Sequence, residues 1–352
     1  MTVRGLDLAK LEPWLARALP DRVNGPLEAT VLAGGRSNLT YRLDAGRAPL
    51  VLRRPPLGHV QSTAHDMARE FRIISALTGT NVPVPAALRF DDDSAGQAGV
   101  GTPFYLMDFV DGRILSSKKA NAAFTAAQLR QLSLDLVHAL AALHSTDPAG
   151  VRLDDFGRPD GYLERQLRRW ATQYDGSRNR DLPELDQLQA GLQQGVPHTV
   201  QTSLLHGDFR LDNAIVTVDG SGTPAIGAIL DWEMATIGDS FADLGLLGLY
   251  WNIALIEGTD AVPSAVDLAA GYPAFAELVD EYASVRGITV PDLSWYLAFS
   301  AYKLAVILEG IHFRFQAGET VGAGFDAIGG LVAPLARVGL RYLAETAHEG
   351  QY

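Results

Sequence analysis

The chain has 352 residues, 47% apolar and 20% charged, a composition that excludes intrinsic disorder and leaves room for two packed units. It contains no cysteine, which excludes disulfides, thiolate catalysis and cysteine zinc sites. The formal net charge of −12 offers no basic face, so nucleic acid is not expected as a partner.

Residues 6–19 are predicted as a helix, with Leu8, Leu11, Trp14, Leu15 and Leu19 at helical spacing. Asp7 and Glu12 within it do not suit a secretory leader. Residues 28–43, "EATVLAGGRSNLTYRL", read as strand, glycine turn, strand, and "PLVLRRPP" as a short strand stopped by prolines. Residues 64–78 are predicted helical, with Met67, Phe71, Ile74 and Leu77 on one face. "VPVPAALRFDDD" and "TPFYLMDFV" read as two more strands. From residue 125 helices dominate, beginning with "AAQLRQLSLDLVHALAALHS" and "GYLERQLRRWATQY". They are interrupted at 204–231, where two apolar runs flank the turn sequence "VDGSGTP". The longest apolar run, 244–256, has 13 residues and includes Asn252, whereas a membrane span needs roughly 20, so no membrane partner and a soluble, cytoplasmic protein are expected. The predicted class is α+β. A β-rich N-terminal lobe spans 1–107, a connection 108–112, and a helical lobe 113–352 that carries a loop and hairpin at 204–233.

The stretch "LLHGDFRLDNAIV", 204–216, crowds His206, Asp208 and Asn213 between apolar runs. His-Gly-Asp alone is a common polar turn. The larger spacing is more informative: Asn213 follows Asp208 by five positions, and Asp231 ends the apolar run "AIGAIL". A hairpin of "NAIVTV" with that run would bring Asn213 and Asp231 together. Their side-chain oxygens suit Mg²⁺, a hard cation with oxygen ligands, and Asp208 would sit upstream to receive a proton. Phosphoryl transfer needs this combination, since positioning and charge neutralisation supply most of its rate. A hydrolase built on His206 and Asp208 is the weaker alternative, because no second histidine stands at ligand spacing.

"LLHGDFRLDN" followed by "AILDWEMATIGDSFADLG" resembles the aminoglycoside phosphotransferase and choline kinase-like group, relatives of the protein kinases. "GGRSNLTYRL", "VLRRPP" and "HGDFRLDN" look like the branch related to kinase-like domains fused to some acyl-CoA dehydrogenases. The resemblance implies a two-lobed protein kinase-like fold, ATP and Mg²⁺ as cofactors, and a small-molecule hydroxyl as acceptor. It implies that Asp208 orients the acceptor, that Asn213 and Asp231 bind metal, that His206 braces the loop and that Asp243 anchors it. Glu233 and Asp239 read equally well as solvated or capping carboxylates.

In the N-terminal lobe, Gly34 and Gly35 could let the backbone approach phosphates, with Ser37 and Asn38 close by, although such glycine pairs are usually plain turns. The resemblance matches Glu70 to the helix glutamate of kinase-like folds, but Arg53 stands where its lysine partner belongs. "FYLMDFVDG" looks like the lobe connector of that group, and the resemblance implies adenine near Asp108 and Val110, beside Met107. The departure at Arg53 keeps open a nucleotide-binding pseudokinase acting as a sensor or scaffold.

His144 reads as a packing histidine, and His138, six positions away, is on another face. Arg165, Arg168 and Arg169 form either a solvated helix face or, with Lys118 and Lys119, a basic entrance for an acyl-CoA-type acceptor. Tyr302, Glu309, His312 and Arg314 are candidate acceptor-site residues.

Overall fold

The computed structural model describes residues 2–32, 38–57, 66–318, 325 and 327–349. The chain forms two compact units, one of residues 1–113 with 227–235 and one of 114–226 with 236–352. The segment carrying Asp231 thus belongs with the first unit, although sequence order places it deep in the second.

The first unit opens with a small hairpin, β1 (Thr2–Val3) and β2 (Leu6–Asp7), and the helix α1 (Leu8–Ala18). The predicted helix therefore starts two residues late. Leu6 and Asp7 pair with Val3 and Thr2, and the Asp7 side chain accepts from the Ala9 N–H as an N-cap. There follow β3 (Val23–Val31), β4 (Leu39–Gly46), β5 (Leu50–Arg54), α2 (Met67–Leu77), β6 (Ala87–Asp91) and β7 (Phe104–Asp108). The five strands β3 to β7 form an antiparallel sheet in the order β3-β4-β5-β7-β6. Alternation buries Tyr41, Leu43, Leu50, Leu52, Phe104 and Leu106 against Leu11, Trp14 and Leu15 of α1. Trp14 meets Phe104 edge to face at 5.3 Å. The central strand β5 thereby holds Arg53 in fixed register, opposite Thr40 on one side and Tyr105 on the other.

A two-residue strand, β8 (Arg113–Ile114), leads into the second unit. This comprises α3 (Ala126–Ser145), α4 (Tyr162–Ser177), α5 (Pro183–Gln194), β9 (Thr202–Leu205), β10 (Ala214–Val218), β11 (Pro224–Ile229), β12 (Thr236–Asp239), α6 (Phe241–Asn252), α7 (Phe275–Arg286), α8 (Ser294–Gln316) and α9 (Val332–Glu349). The chain crosses back into the first unit within β11. Helix α3 begins at a capping box: Thr125 accepts from the Gln128 N–H, and the Gln128 side chain accepts from the Thr125 N–H. Helix α5 has no counterpart in the sequence reading. Its stripe of Leu185, Leu188 and Leu192 is short and set among glutamines. The apolar run at 244–256 is mostly α6, buried against α8. Gly245 makes that approach possible, since a Cβ there would sit 2.6 Å from the Tyr296 Cβ. Among the described residues no helix is long and apolar enough to cross a membrane.

Candidate active site

In the second unit, the loop after β9 is fastened through the backbone of His206, Gly207 and Asp208. Leu204 and Leu205 are fully buried and pair antiparallel with β12, which fixes where the chain emerges at His206. The next residue, Gly207, has φ +81°, a conformation costly for a side-chain-bearing residue. Asp243, in the first turn of α6, then accepts two backbone hydrogen bonds: His206 N–H to Oδ2 at 2.7 Å and Gly207 N–H to Oδ1 at 2.9 Å. The expected anchoring role of Asp243 has this geometry behind it. His144 Nε2 lies 3.4 Å from the same carboxylate, and His144 Nδ1 2.7 Å from the Tyr282 hydroxyl.

Burial is the largest influence on this group. It would raise the Asp243 carboxyl, but the His144 ring, His206 and the loop N–H donors outweigh it and hold the carboxyl below its ordinary value. Burial pushes the His144 imidazole down despite Asp243, so the ring is neutral. Tyr282 is pushed up to about 12 and stays protonated, so its O–H donates to Nδ1 and the ring proton rests on Nε2, toward Asp243. His144 is thus a packing histidine with both nitrogens engaged. His138, by contrast, faces Glu281 at 2.5 Å.

His206 is fully buried, packs edge to face on Phe209, and accepts the Asp208 N–H at Nδ1 (3.2 Å). It braces the loop. Asn213, in the 3₁₀ turn Leu211–Asn213, donates through Nδ2 to both the Asp208 carbonyl (2.8 Å) and the Asp208 Oδ2 (3.0 Å). This leaves Oδ1 as the Asn213 atom suited to a cation. Lys303, on α8, donates from Nζ to the Gly207 carbonyl at 2.7 Å.

In the first unit, Arg53 joins two acids. Its Nη2 lies 2.6 Å from Asp231 Oδ1, and its Nε forms an ion pair with Glu70 Oε1 at 3.2 Å. Burial opposes the Arg53 charge, but Glu70, Tyr105 and Asp231 more than compensate and raise its pKa above the ordinary value. Glu70 is buried on α2, which pushes its carboxyl up against the pull of Arg53. Asp231 itself adopts left-handed backbone angles, φ 67° and ψ 58°, uncommon for a side-chain-bearing residue and enriched at functional positions. The buried Trp232 indole fixes that turn by donating to the Ile229 carbonyl at 2.9 Å. Asn38 Nδ2 reaches Glu233 Oε2 at 3.3 Å. Met107 is buried, the Asp108 N–H is taken by the Ala86 carbonyl, and the Asp108 side chain pairs with Arg22; Val110 is half-buried. Gly34, Gly35 and Ser37 lie outside the described residues.

The donors expected for a metal are one amide oxygen and one carboxylate, hard oxygen ligands of the kind Mg²⁺ takes alongside phosphate and water. The Asp231 carboxylate already accepts a cationic partner in Arg53. Each of these oxygens, taken by itself, is of the donor type that Mg²⁺ accepts. Among the described residues no group of three or more histidines and acids is arranged to hold a metal.

The profile of the phosphotransferase enzyme family matches residues 28–286. The chain belongs to that family. Acyl-CoA dehydrogenase family member 11 of Gallus gallus is 33% identical over 343 residues, covering 95% of this phosphotransferase-family chain and 43% of the relative. The chain thus spans less than half the length of that relative. A crystal structure from Ralstonia eutropha JMP134, named for the aminoglycoside phosphotransferases, is 32% identical and covers 97% of this chain and 99% of its own, with a TM-score of 0.82. The ternary complex of a thermostable mutant of aminoglycoside phosphotransferase APH(4)-Ia with AMP-PNP and hygromycin B aligns over 96% of this chain and 99% of its own, with a TM-score of 0.59. At 12% identity it shows the fold alone, the α+β protein kinase-like one.

Other expected residues of this phosphotransferase-family chain turn to structural work. Glu309 is buried and takes both Nε and Nη2 of Arg180, while the Tyr302 hydroxyl donates to Gln189. Arg165 donates to the Arg158 and Asp160 carbonyls, securing the turn before α4. Asp239 is a buried acceptor for the Phe241 N–H and the Tyr296 hydroxyl. Lys303 is the functional candidate missing from the sequence reading. Its partner lies 96 positions upstream, and the only local signal is a lysine inside the apolar stretch "SWYLAFSAYKLAVILEG".

Proposed function

We propose that this chain is an ATP- and Mg²⁺-dependent small-molecule kinase that moves the γ-phosphate to an acceptor hydroxyl. The observation that carries the reading is the state of Asp208. Its backbone is held on a braced loop, and Asn213 occupies its Oδ2, which leaves Oδ1 to accept the hydroxyl proton. Asn213 Oδ1 and Asp231 would supply ligands to Mg²⁺, which neutralises phosphate charge when bound. Arg53, with Glu70 behind it, would meet the nucleotide phosphates as a bidentate donor. A hydroxylated small molecule of the aminoglycoside-like, choline-like or hydroxyacyl-CoA type would be the acceptor, and the cytoplasm, which holds ATP, the setting. The AMP-PNP and hygromycin B complex of a protein with this fold supports a nucleotide and a polyhydroxylated acceptor.

The test is ADP release and acceptor phosphorylation over a panel of these hydroxyl compounds, with and without Mg²⁺. Asp208→Ala is expected to lower turnover by about 10²–10⁴-fold. Unchanged phosphorylation in that variant would sink the mechanism. A second reading, a nucleotide sensor without turnover, rests on Arg53 in the usual place of a lysine. Nucleotide-induced thermal stabilisation without product on any acceptor would favour it.

A further inference from the structure

We propose that Lys303 is a positioning residue for the catalytic loop, holding the Gly207–Asp208 peptide plane in the orientation that aims the Asp208 carboxylate. The inference rests on the kinase reading for the role of Asp208, but its geometry stands alone.

The Gly207 carbonyl and the Asp208 N–H belong to one planar peptide unit. Lys303 Nζ donates to the carbonyl at 2.7 Å, and His206 Nδ1 accepts the N–H at 3.2 Å. The plane is therefore gripped at both edges. Gly207 lies at φ +81° and has no side chain of its own to resist rotation of that plane, so these two hydrogen bonds are what oppose it. Rotation would swing the Asp208 Cα–Cβ bond and pull Oδ2 from the Asn213 amide.

The surroundings of Lys303 point the same way. It rises from an apolar run of α8 between the buried Tyr302 and Leu304. Its ammonium stands 5.6 Å from the centre of the Trp170 ring and faces a recess lined by Tyr162, Gln166, Trp170 and Asp243. Burial pushes its pKa down even though Asp208 and Asp243 pull it up, and Arg169 adds to the lowering. Lys303 is half-buried, and a methionine of similar length would fill the same space beside the Trp170 ring without a charge. What methionine lacks is a donor for the Gly207 carbonyl.

Two measurements on Lys303→Met test the inference. Hydrogen exchange of peptides covering 205–210 reads the loop without needing activity. Exchange there is expected to quicken at least tenfold, while the thermal midpoint stays at or above that of the parent protein. Arg130→Ala, which removes an exposed ion pair with Glu277, is expected to leave exchange at 205–210 unchanged. With a phosphorylated acceptor in hand, kcat of Lys303→Met is expected to fall about a hundredfold, with the nucleotide KM within twofold. In Lys303→Ala, added ethylammonium is expected to restore part of the kcat, which general packing would not do. Parent-like exchange and parent-like kcat in Lys303→Met overturn the proposal. If the parent protein phosphorylates nothing, the kinase reading falls, and the exchange experiment still decides whether Lys303 holds the loop.

Discussion

Arg53 holds Asp231 at 2.6 Å while its Nε pairs with Glu70 at 3.2 Å, so one guanidinium on the central strand ties a helix carboxylate to the carboxylate that follows β11. The Arg53 side chain is 12% exposed and that of Glu70 1%. The desolvation of both is already spent in the folded state. Removing one partner strands the other in a low-dielectric site.

Arg53→Ala is therefore expected to cost about 3–5 kcal/mol of stability, the range for breaking a buried pair. Denaturant unfolding measures it. Arg53→Met with Glu70→Met removes both charges and is expected to recover most of the loss; under the kinase reading it also weakens nucleotide binding. A single Arg53→Ala variant within 1 kcal/mol of the parent would show that solvent reaches Glu70 and that the pair is not structural.

How far the sequence carried the reading follows from where each signal lives. The loop motif was legible because His206, Asp208 and Asn213 sit within eight consecutive residues and their chemistry depends on that spacing. The sheet was legible from alternation and punctuation. The grip on the loop was only half legible. Asp243 was marked by resemblance, but its support by His144 comes from a residue 99 positions upstream, and Lys303 comes from a helix that periodicity reads as plain core. Helix α1 shows the opposite limit. Pro13 sits inside it, yet the helix continues to Ala18 because Leu11, Trp14 and Leu15 are buried on the sheet, and tertiary packing overrides the local cost. The assignment of 227–235 to the first unit is a matter of packing, which no local pattern encodes.

The His144–Asp243 pair makes acid sensitivity predictable. Burial holds the folded His144 below the ordinary imidazole value of 6.5, so its contribution is fully present above that pH. As pH falls below 6.5 the unfolded chain takes up a proton that the folded ring refuses, and stability drops by up to about 1.4 kcal/mol per pH unit. Asp243, also depressed, has the same sign, and its contribution goes only below its ordinary value of 3.8. The loss between pH 6.5 and 5 should therefore belong to the histidine. Unfolding free energies of the parent and His144→Gln over that range check this. The variant is expected to start lower and to show a shallower slope, and parallel slopes would mean that the ring titrates alike in both states.

Asn213 is the sharpest probe of how Asp208 is aimed. Its Nδ2 donates to the Asp208 carbonyl and to Oδ2, while its Oδ1 is the proposed metal ligand, so two substitutions separate the functions. Asn213→Asp keeps an oxygen ligand but replaces the donor with a second carboxylate beside Asp208. Like charges at that separation repel, and the Asp208 carboxylate would turn from its present position. Asn213→Ala removes donor and ligand together. Under the kinase reading, Asn213→Asp is expected to retain Mg²⁺-dependent nucleotide binding while kcat falls about a hundredfold. Asn213→Ala is expected to lose kcat to a similar degree and also to raise the Mg²⁺ concentration needed for half-maximal nucleotide binding. Titrating Mg²⁺ against nucleotide binding and turnover for both variants separates the two effects. Equal Mg²⁺ requirements in Asn213→Ala and the parent would remove Asn213 from the metal site and leave it as the residue that aims Asp208.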